Sequence, residues 1–151
     1  MQLRTWQKRC VNEALRCYDF QSHFMCLATP GAGKTVMAAT LAARLMDLKK
    51  IDFILCFSPS IEVNESIKIT FTKIFNRRFD GLLGALGGIY TYQSMSSFSS
   101  EFWQLLKSSK VLIILDEVHH LKGSELCNAN AWGEEVLLNI QHQAEYTLAL
   151  S

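Results

Sequence analysis

The stretch Ala28-Thr29-Pro30-Gly31-Ala32-Gly33-Lys34-Thr35 decides the reading of this 151-residue chain. An apolar run at residues 24–28 precedes it and reads as a buried strand. The Ala-, Leu- and Met-rich residues 34–48 follow it and read as a helix. Gly31 and Gly33 allow a tight turn whose backbone N–H groups converge on an anion, and the following helix adds the positive end of its dipole. Lys34 at that position can reach the β- and γ-phosphates of a nucleotide, and the Thr35 hydroxyl can coordinate Mg²⁺. Ala28 stands where the full P-loop pattern usually has its first glycine. A plain glycine-containing turn before a helix is the simpler alternative for these residues taken alone.

Working outward, apolar residues at Leu3, Trp6, Cys10, Val11, Ala14 and Leu15 recur at helical spacing and predict an opening helix. Residues 53–57 read as a second buried strand, and Ile61–Phe75 as a long helix. The four glycines in residues 81–88 suggest a loop around a short strand, and residues 89–91 suggest another strand. Val111–Leu115 is the clearest buried strand, residues 132–142 read as a helix, and Tyr146–Leu150 as a closing strand. Each of the two prolines, Pro30 and Pro59, follows an apolar run, as expected where a strand yields to a loop. Strands that alternate with helices and read as continuous apolar runs predict an α/β fold with a mostly parallel sheet covered by helices on both faces.

Leu115-Asp116-Glu117-Val118-His119-His120 continues directly from the 111–115 strand. A carboxylate at the carboxyl end of a parallel strand faces the ligand crevice of such a sheet. Asp116 there can hold a metal ion, and Glu117 can act as a base on an attacking water. Alone, this pair reads better as a solvated acidic loop. Its weight comes from a phosphate-binding loop 82 residues upstream (116 minus 34). The adjacent His119 and His120 lack a third ligand at suitable spacing, which disfavours a structural metal site.

Composition bounds the rest. Fifteen Lys and Arg against fourteen Asp and Glu give a net charge of +1, so any nucleic-acid contact must be local. No apolar run approaches the length of a membrane span, so no membrane partner is expected. Five cysteines, an odd number without Cys-x-x-Cys spacing, argue against a disulfide framework and for reduced thiols in a cytoplasmic protein.

Asp116-Glu117-Val118-His119 resembles motif II of the superfamily 2 helicases and translocases of the DExH type, and residues 28–35 resemble their motif I, in which Ala at the first position is common. Leu3-Arg4-Thr5-Trp6-Gln7 resembles the Leu-Arg-x-aromatic-Gln element that precedes motif I in DNA-directed members. Phe57-Ser58-Pro59-Ser60 resembles motif Ia, and Thr91-Tyr92-Gln93-Ser94-Met95 the element around motif Ib. Ala131-Trp132-Gly133 resembles the type III restriction and XPB-like branches, with Trp132 as a packing residue. Read singly, the 57–60 segment could be only a strand-ending loop and Ser94 only a helix N-cap.

The resemblance implies a P-loop RecA-like first lobe over residues 1–151 that binds ATP and Mg²⁺ and is inactive or very slow by itself. It implies that the full-length protein couples ATP hydrolysis to movement on nucleic acid, expected to be double-stranded DNA bound weakly by this lobe alone. It implies Lys34, Asp116 and Glu117 as catalytic residues, with Thr35 and Asp116 on the metal. It implies that Arg4, Gln7, Pro30, Gly31, Ala32, Gly33, Lys34 and Thr35 contact the nucleotide, Gln7 reading the adenine edge with Arg4 beside it. A side-chain amide both donates and accepts, which suits adenine. Ser58, Pro59, Ser60, Tyr92 and Gln93 are the implied nucleic-acid contacts. Thr147-Leu148-Ala149-Leu150-Ser151 resembles the strand into motif III, with Ser151 its first residue, so the expectation is a lobe cut at motif III. The second RecA-like lobe, which carries the arginine finger in the family, would be the missing partner. The motor of a restriction enzyme and a truncated module that binds nucleotide without turnover are the alternatives.

Overall fold

The computed structural model describes residues 2–28, 33–76, 86–117 and 143–151. Pro30, Gly31 and Ala32 lie outside them, as do His119, His120, the 131–133 element and the expected helix at 132–142. Helix α1 (Thr5–Cys17) leads into β1 (His23–Cys26), α2 (Lys34–Asp47), β2 (Phe53–Ser58) and α3 (Ile61–Phe75). Strand β3 (Gly87–Thr91), a 3₁₀ turn (Tyr92–Ser97), α4 (Ser100–Ser108), β4 (Val111–Leu115) and β5 (Tyr146–Leu150) follow.

The five strands form one sheet in the order β1-β5-β4-β2-β3, and every pairing is parallel. This is the α/β architecture the alternating apolar runs predict. All five residues of β4 are buried, because a central parallel strand has helices over both faces. The two-residue period divides its side chains. Leu112 and Ile114 enter a core with α1, α2 and α3, while Val111, Ile113 and Leu115 enter a second core with the 3₁₀ turn and α4. Strand β2 divides likewise, with Ile54 and Cys56 on one side and Leu55 and Phe57 on the other. Trp6 packs at the edge of the first core, as its place on the helical stripe requires.

Three local expectations change. Strand β1 is shifted toward the N-terminus, although the Ala28 N–H still donates to the Ser151 carbonyl at 3.0 Å. The glycine-rich segment does not remain a loop to residue 88, since Gly87 and Gly88 are the first two residues of β3 and pair with Ile54 and Leu55. At Gly87 a Cβ would stand 1.8 Å from the Ile54 carbonyl oxygen, so the close approach of β3 to β2 requires glycine. Helix α4 has no counterpart among the sequence expectations. It is short, and its core side consists largely of aromatic side chains. Phe102 and Trp103 join Phe98 in a cluster whose Phe98–Phe102 ring centroids are 4.2 Å apart. Among the described residues, no helix is long and apolar enough to cross a membrane.

Candidate nucleotide site at the carboxyl edge of the sheet

The loops after β1 and β4 both open at the carboxyl edge of the sheet, with β5 between the two strands. Two strand spacings separate them, about 10 Å. From the first loop, Gly33 caps α2 in the left-handed conformation, with φ +88°, and Lys34 and Thr35 are the first two helical residues. A lysine and a threonine thus sit at the positive end of a 14-residue helix. From the second loop, Asp116 extends β4 by one residue, its N–H donating to the Phe57 carbonyl at 2.8 Å. Glu117 then turns at φ +50°, a left-handed conformation that side-chain-bearing residues adopt at a cost. Thr35 and Asp116 border the same narrow apolar gap, together with Cys56, Ile114 and Leu150. A hydroxyl and a carboxylate on residues that border one gap are hard oxygen donors of the kind Mg²⁺ selects.

Gln7 is buried at 4% exposure, and its amide ties two segments together. Its Oε1 accepts from the Arg4 N–H at 2.7 Å, closing the first turn of α1. Its Nε2 donates to the Gly33 carbonyl at 2.9 Å, which fixes the last residue of the glycine loop to α1. A Cβ on Gly33 would approach that Nε2 to 2.5 Å, a second reason for glycine there. An amide has two donor hydrogens and two acceptor lone pairs, so these bonds leave capacity for a base edge. An open groove of about 300 Å³ lies nearby, lined by Leu3, Val36, Thr40, Lys73 and Ile74.

The expected nucleic-acid contacts divide into two kinds. Ser58 is fully buried, and its hydroxyl donates to the Ser60 carbonyl at 3.0 Å. Tyr92 is 4% exposed, and its hydroxyl donates to the Asp116 carbonyl at 2.7 Å. Burial raises the Tyr92 hydroxyl above its usual range and keeps it protonated as a donor. The hydroxyls of these two residues bond to backbone carbonyls, of Ser60 and Asp116, and so do not point outward as the expected contacts would. Pro59 and Ser60 are partly exposed and Gln93 is exposed. The Ser60 Oγ also accepts from the Val63 N–H at 3.3 Å, capping α3. Ser94 does not cap a helix. It lies inside the 3₁₀ turn and donates back to the Thr91 carbonyl at 2.7 Å.

Asn64 is a residue that sequence reasoning missed. With its amide oriented to suit its neighbours, its nitrogen donates to the Ser58 Oγ and, at 3.2 Å, to the Tyr90 carbonyl, while its oxygen accepts from the Thr91 N–H at 3.3 Å. It thereby binds the loop after β2 to the end of β3. A lone asparagine on a helix carries no sequence signal for such a bridge.

Residues 1–151 match the family described as type III restriction enzyme, res subunit. The chain belongs to this family. An uncharacterised protein of Mycobacterium tuberculosis is 25% identical over 146 residues, covering 89% of this chain and 22% of that protein. An uncharacterised protein of Mycobacterium leprae is also 25% identical over 146 residues, with 89% and 23% covered. The chain therefore spans less than a quarter of the curated relatives it matches. Among solved structures, the UvsW helicase from bacteriophage T4 matches with a TM-score of 0.70 at 16% identity, covering 100% of this chain and 52% of that one. A nuclease-deletion mutant of the type ISP restriction-modification enzyme LlaGI, in complex with a DNA substrate mimic, matches with a TM-score of 0.65 at 16% identity, covering 100% and 17%. The fold of this ResIII chain is that of the first RecA-like lobe of superfamily 2 enzymes.

Proposed function

We propose that this chain is the ATP-binding lobe of a cytoplasmic ATP-dependent helicase or translocase acting on double-stranded DNA. The observation that carries the reading is that Thr35 and Asp116 border one gap at this sheet edge, with Lys34 preceding Thr35 at the N-terminus of α2. In this reading the backbone of Pro30, Gly31, Ala32 and Gly33 and the Lys34 amine bind the nucleotide phosphates. Thr35 and Asp116 would hold Mg²⁺, which when bound would neutralise phosphate charge. Glu117 accepts the proton of the attacking water. Gln7, anchored to Gly33 and Arg4, presents its amide to the adenine edge. Pro59, Ser60 and Gln93, at two loops of the same sheet edge, lie against the nucleic-acid backbone. Contacts of that kind position a protein without reading sequence.

The motor of a restriction enzyme is a second reading, favoured by the family match and by the LlaGI structure with its DNA mimic. The lobe's chemistry is the same in both. The whole protein would include a second RecA-like lobe that meets this one across the nucleotide. The test is calorimetric titration of the chain with Mg·ATP. Lys34→Ala should weaken binding by about tenfold or more, equivalent to 1.4 kcal/mol. Equal affinity in Lys34→Ala and the unaltered chain overturns the assignment.

A further inference from the structure

Two cysteines stand sulfur to sulfur beside the glycine loop. The Cys10 Sγ on α1 lies 3.2 Å from the Cys26 Sγ at the end of β1 and donates its hydrogen to it. Cys26 is buried, whereas Cys10 is half-buried and reaches solvent. The other described cysteines are engaged differently. The Cys17 Sγ donates to the His23 carbonyl at 3.4 Å, and Cys56 is enclosed in the first core. The Cys10 hydrogen bond, aided by the charge of Lys34, lowers the Cys26 thiol to about 7 despite burial.

Their places in the chain give the pair its leverage. Cys26 ends the strand that feeds the glycine loop. Cys10 lies on the helix whose Gln7 holds Gly33, at the loop's far end. A bond between the two sulfurs would therefore tie together the supports of both ends of one loop.

We propose that Cys10 and Cys26 form a reversible disulfide that acts as an oxidative modification site controlling the nucleotide loop. The oxidant class is a peroxide. The hydrogen bond that lowers the Cys26 thiol raises the Cys10 thiol, so the Cys26 sulfur is the one that attacks the peroxide O–O bond and becomes a sulfenic acid, and its thiol proton and the released hydroxide leave as water. The Cys10 sulfur then displaces hydroxide from the Cys26 sulfur, and its own proton leaves with that hydroxide as a second water. In sum, two thiols and one hydrogen peroxide give one disulfide and two waters. The sulfurs need to close from 3.2 Å to about 2.04 Å, a small adjustment of α1 against β1. A dithiol reductant reverses the bond by exchange. The effect on nucleotide rests on the proposed function, whereas formation of the bond does not.

The experiment titrates the folded full chain with hydrogen peroxide, alkylates the remaining thiols and maps non-reduced peptides by mass spectrometry. The expected result is a Cys10–Cys26 peptide pair, lighter by two hydrogens and reversed by dithiothreitol, that forms before Cys17, Cys56 or Cys127 is modified. Cys10→Ser and Cys26→Ser should each abolish it. Recovery of Cys10 and Cys26 as free or over-oxidised thiols at peroxide levels that modify the other cysteines overturns the proposal, as does pairing with another cysteine. Fluorescent Mg·ATP-analogue titration of the reduced and oxidised chain should differ by about fivefold or more. Equal binding in a chain shown to be cross-linked overturns control of the loop. Absence of binding in both states, with the cross-link formed, counts against the nucleotide assignment instead.

Discussion

The Tyr92 hydroxyl donates to the backbone carbonyl of Asp116 at 2.7 Å in the buried space between the end of β3 and the end of β4. Tyr92 opens the 3₁₀ turn after β3, and Asp116 opens the acidic loop after β4. The two loops are thus joined by one bond. Removing it leaves a buried carbonyl without this donor, which costs about 1–2 kcal/mol. Tyr92→Phe should lower stability by that amount in urea unfolding and should weaken nucleotide binding through displacement of Asp116. Unchanged stability would show that the carbonyl finds another donor.

Gln7→Ala removes both the Arg4 and the Gly33 hydrogen bonds. Affinity for Mg·ATP should fall about tenfold, close to the 1.4 kcal/mol expected of one or two such bonds. A site that hydrogen-bonds a base edge rejects a base with the reversed donor pattern, so the unaltered chain should prefer ATP to GTP. Competition titration of ATP against GTP checks this, and the preference should shrink in Gln7→Ala.

Glu117→Gln keeps the size of the side chain but removes the carboxylate proposed as the base. ATP turnover by the protein should fall about 10²- to 10⁴-fold, while Mg·ATP binding stays within about twofold. A steady-state phosphate-release assay run alongside calorimetry separates the two quantities. Loss of binding in step with turnover would assign Glu117 to holding the nucleotide rather than to the water.

Gly87→Ala tests the packing of β3. The added methyl meets the Ile54 carbonyl, a backbone atom that cannot swing aside. Destabilisation of about 3 kcal/mol or more is expected, read by circular dichroism on thermal unfolding. An alanine tolerated at little cost would mean that β2 and β3 can move apart.

With a net charge of +1, the isolated chain should bind duplex DNA weakly, with a salt slope shallower than about −3 on a log–log plot. Anisotropy titrations at several salt concentrations read that slope. Gln93→Ala should weaken binding and Ser58→Ala should not, because the Ser58 hydroxyl faces inward. A steep slope or a strong effect at Ser58 would redraw the interface.

Much of this molecule is determined locally and is legible in the chain. The Val111–Leu115 run can only be a strand covered on both faces, and the bounds of Ile61–Phe75 follow from its capping serine and apolar spacing. Lys34 and Thr35 lie on a helix start and Asp116 at a strand end because short-range rules of turns and periods place them there. The first turn of α1 is likewise local, since Gln7 closes it onto Arg4 three residues away. What only the tertiary structure decided involves residues far apart in the chain. The insertion of β5 between β1 and β4 sets the distance between the two loops of the site. The Tyr92–Asp116 bond, the Asn64 bridge to β3, the hold of Gln7 on Gly33 and the Cys10–Cys26 contact each join segments that no local pattern connects. A buried polar group must find a partner wherever the packed sheet brings one, and the chain's local preferences are silent about which partner that will be.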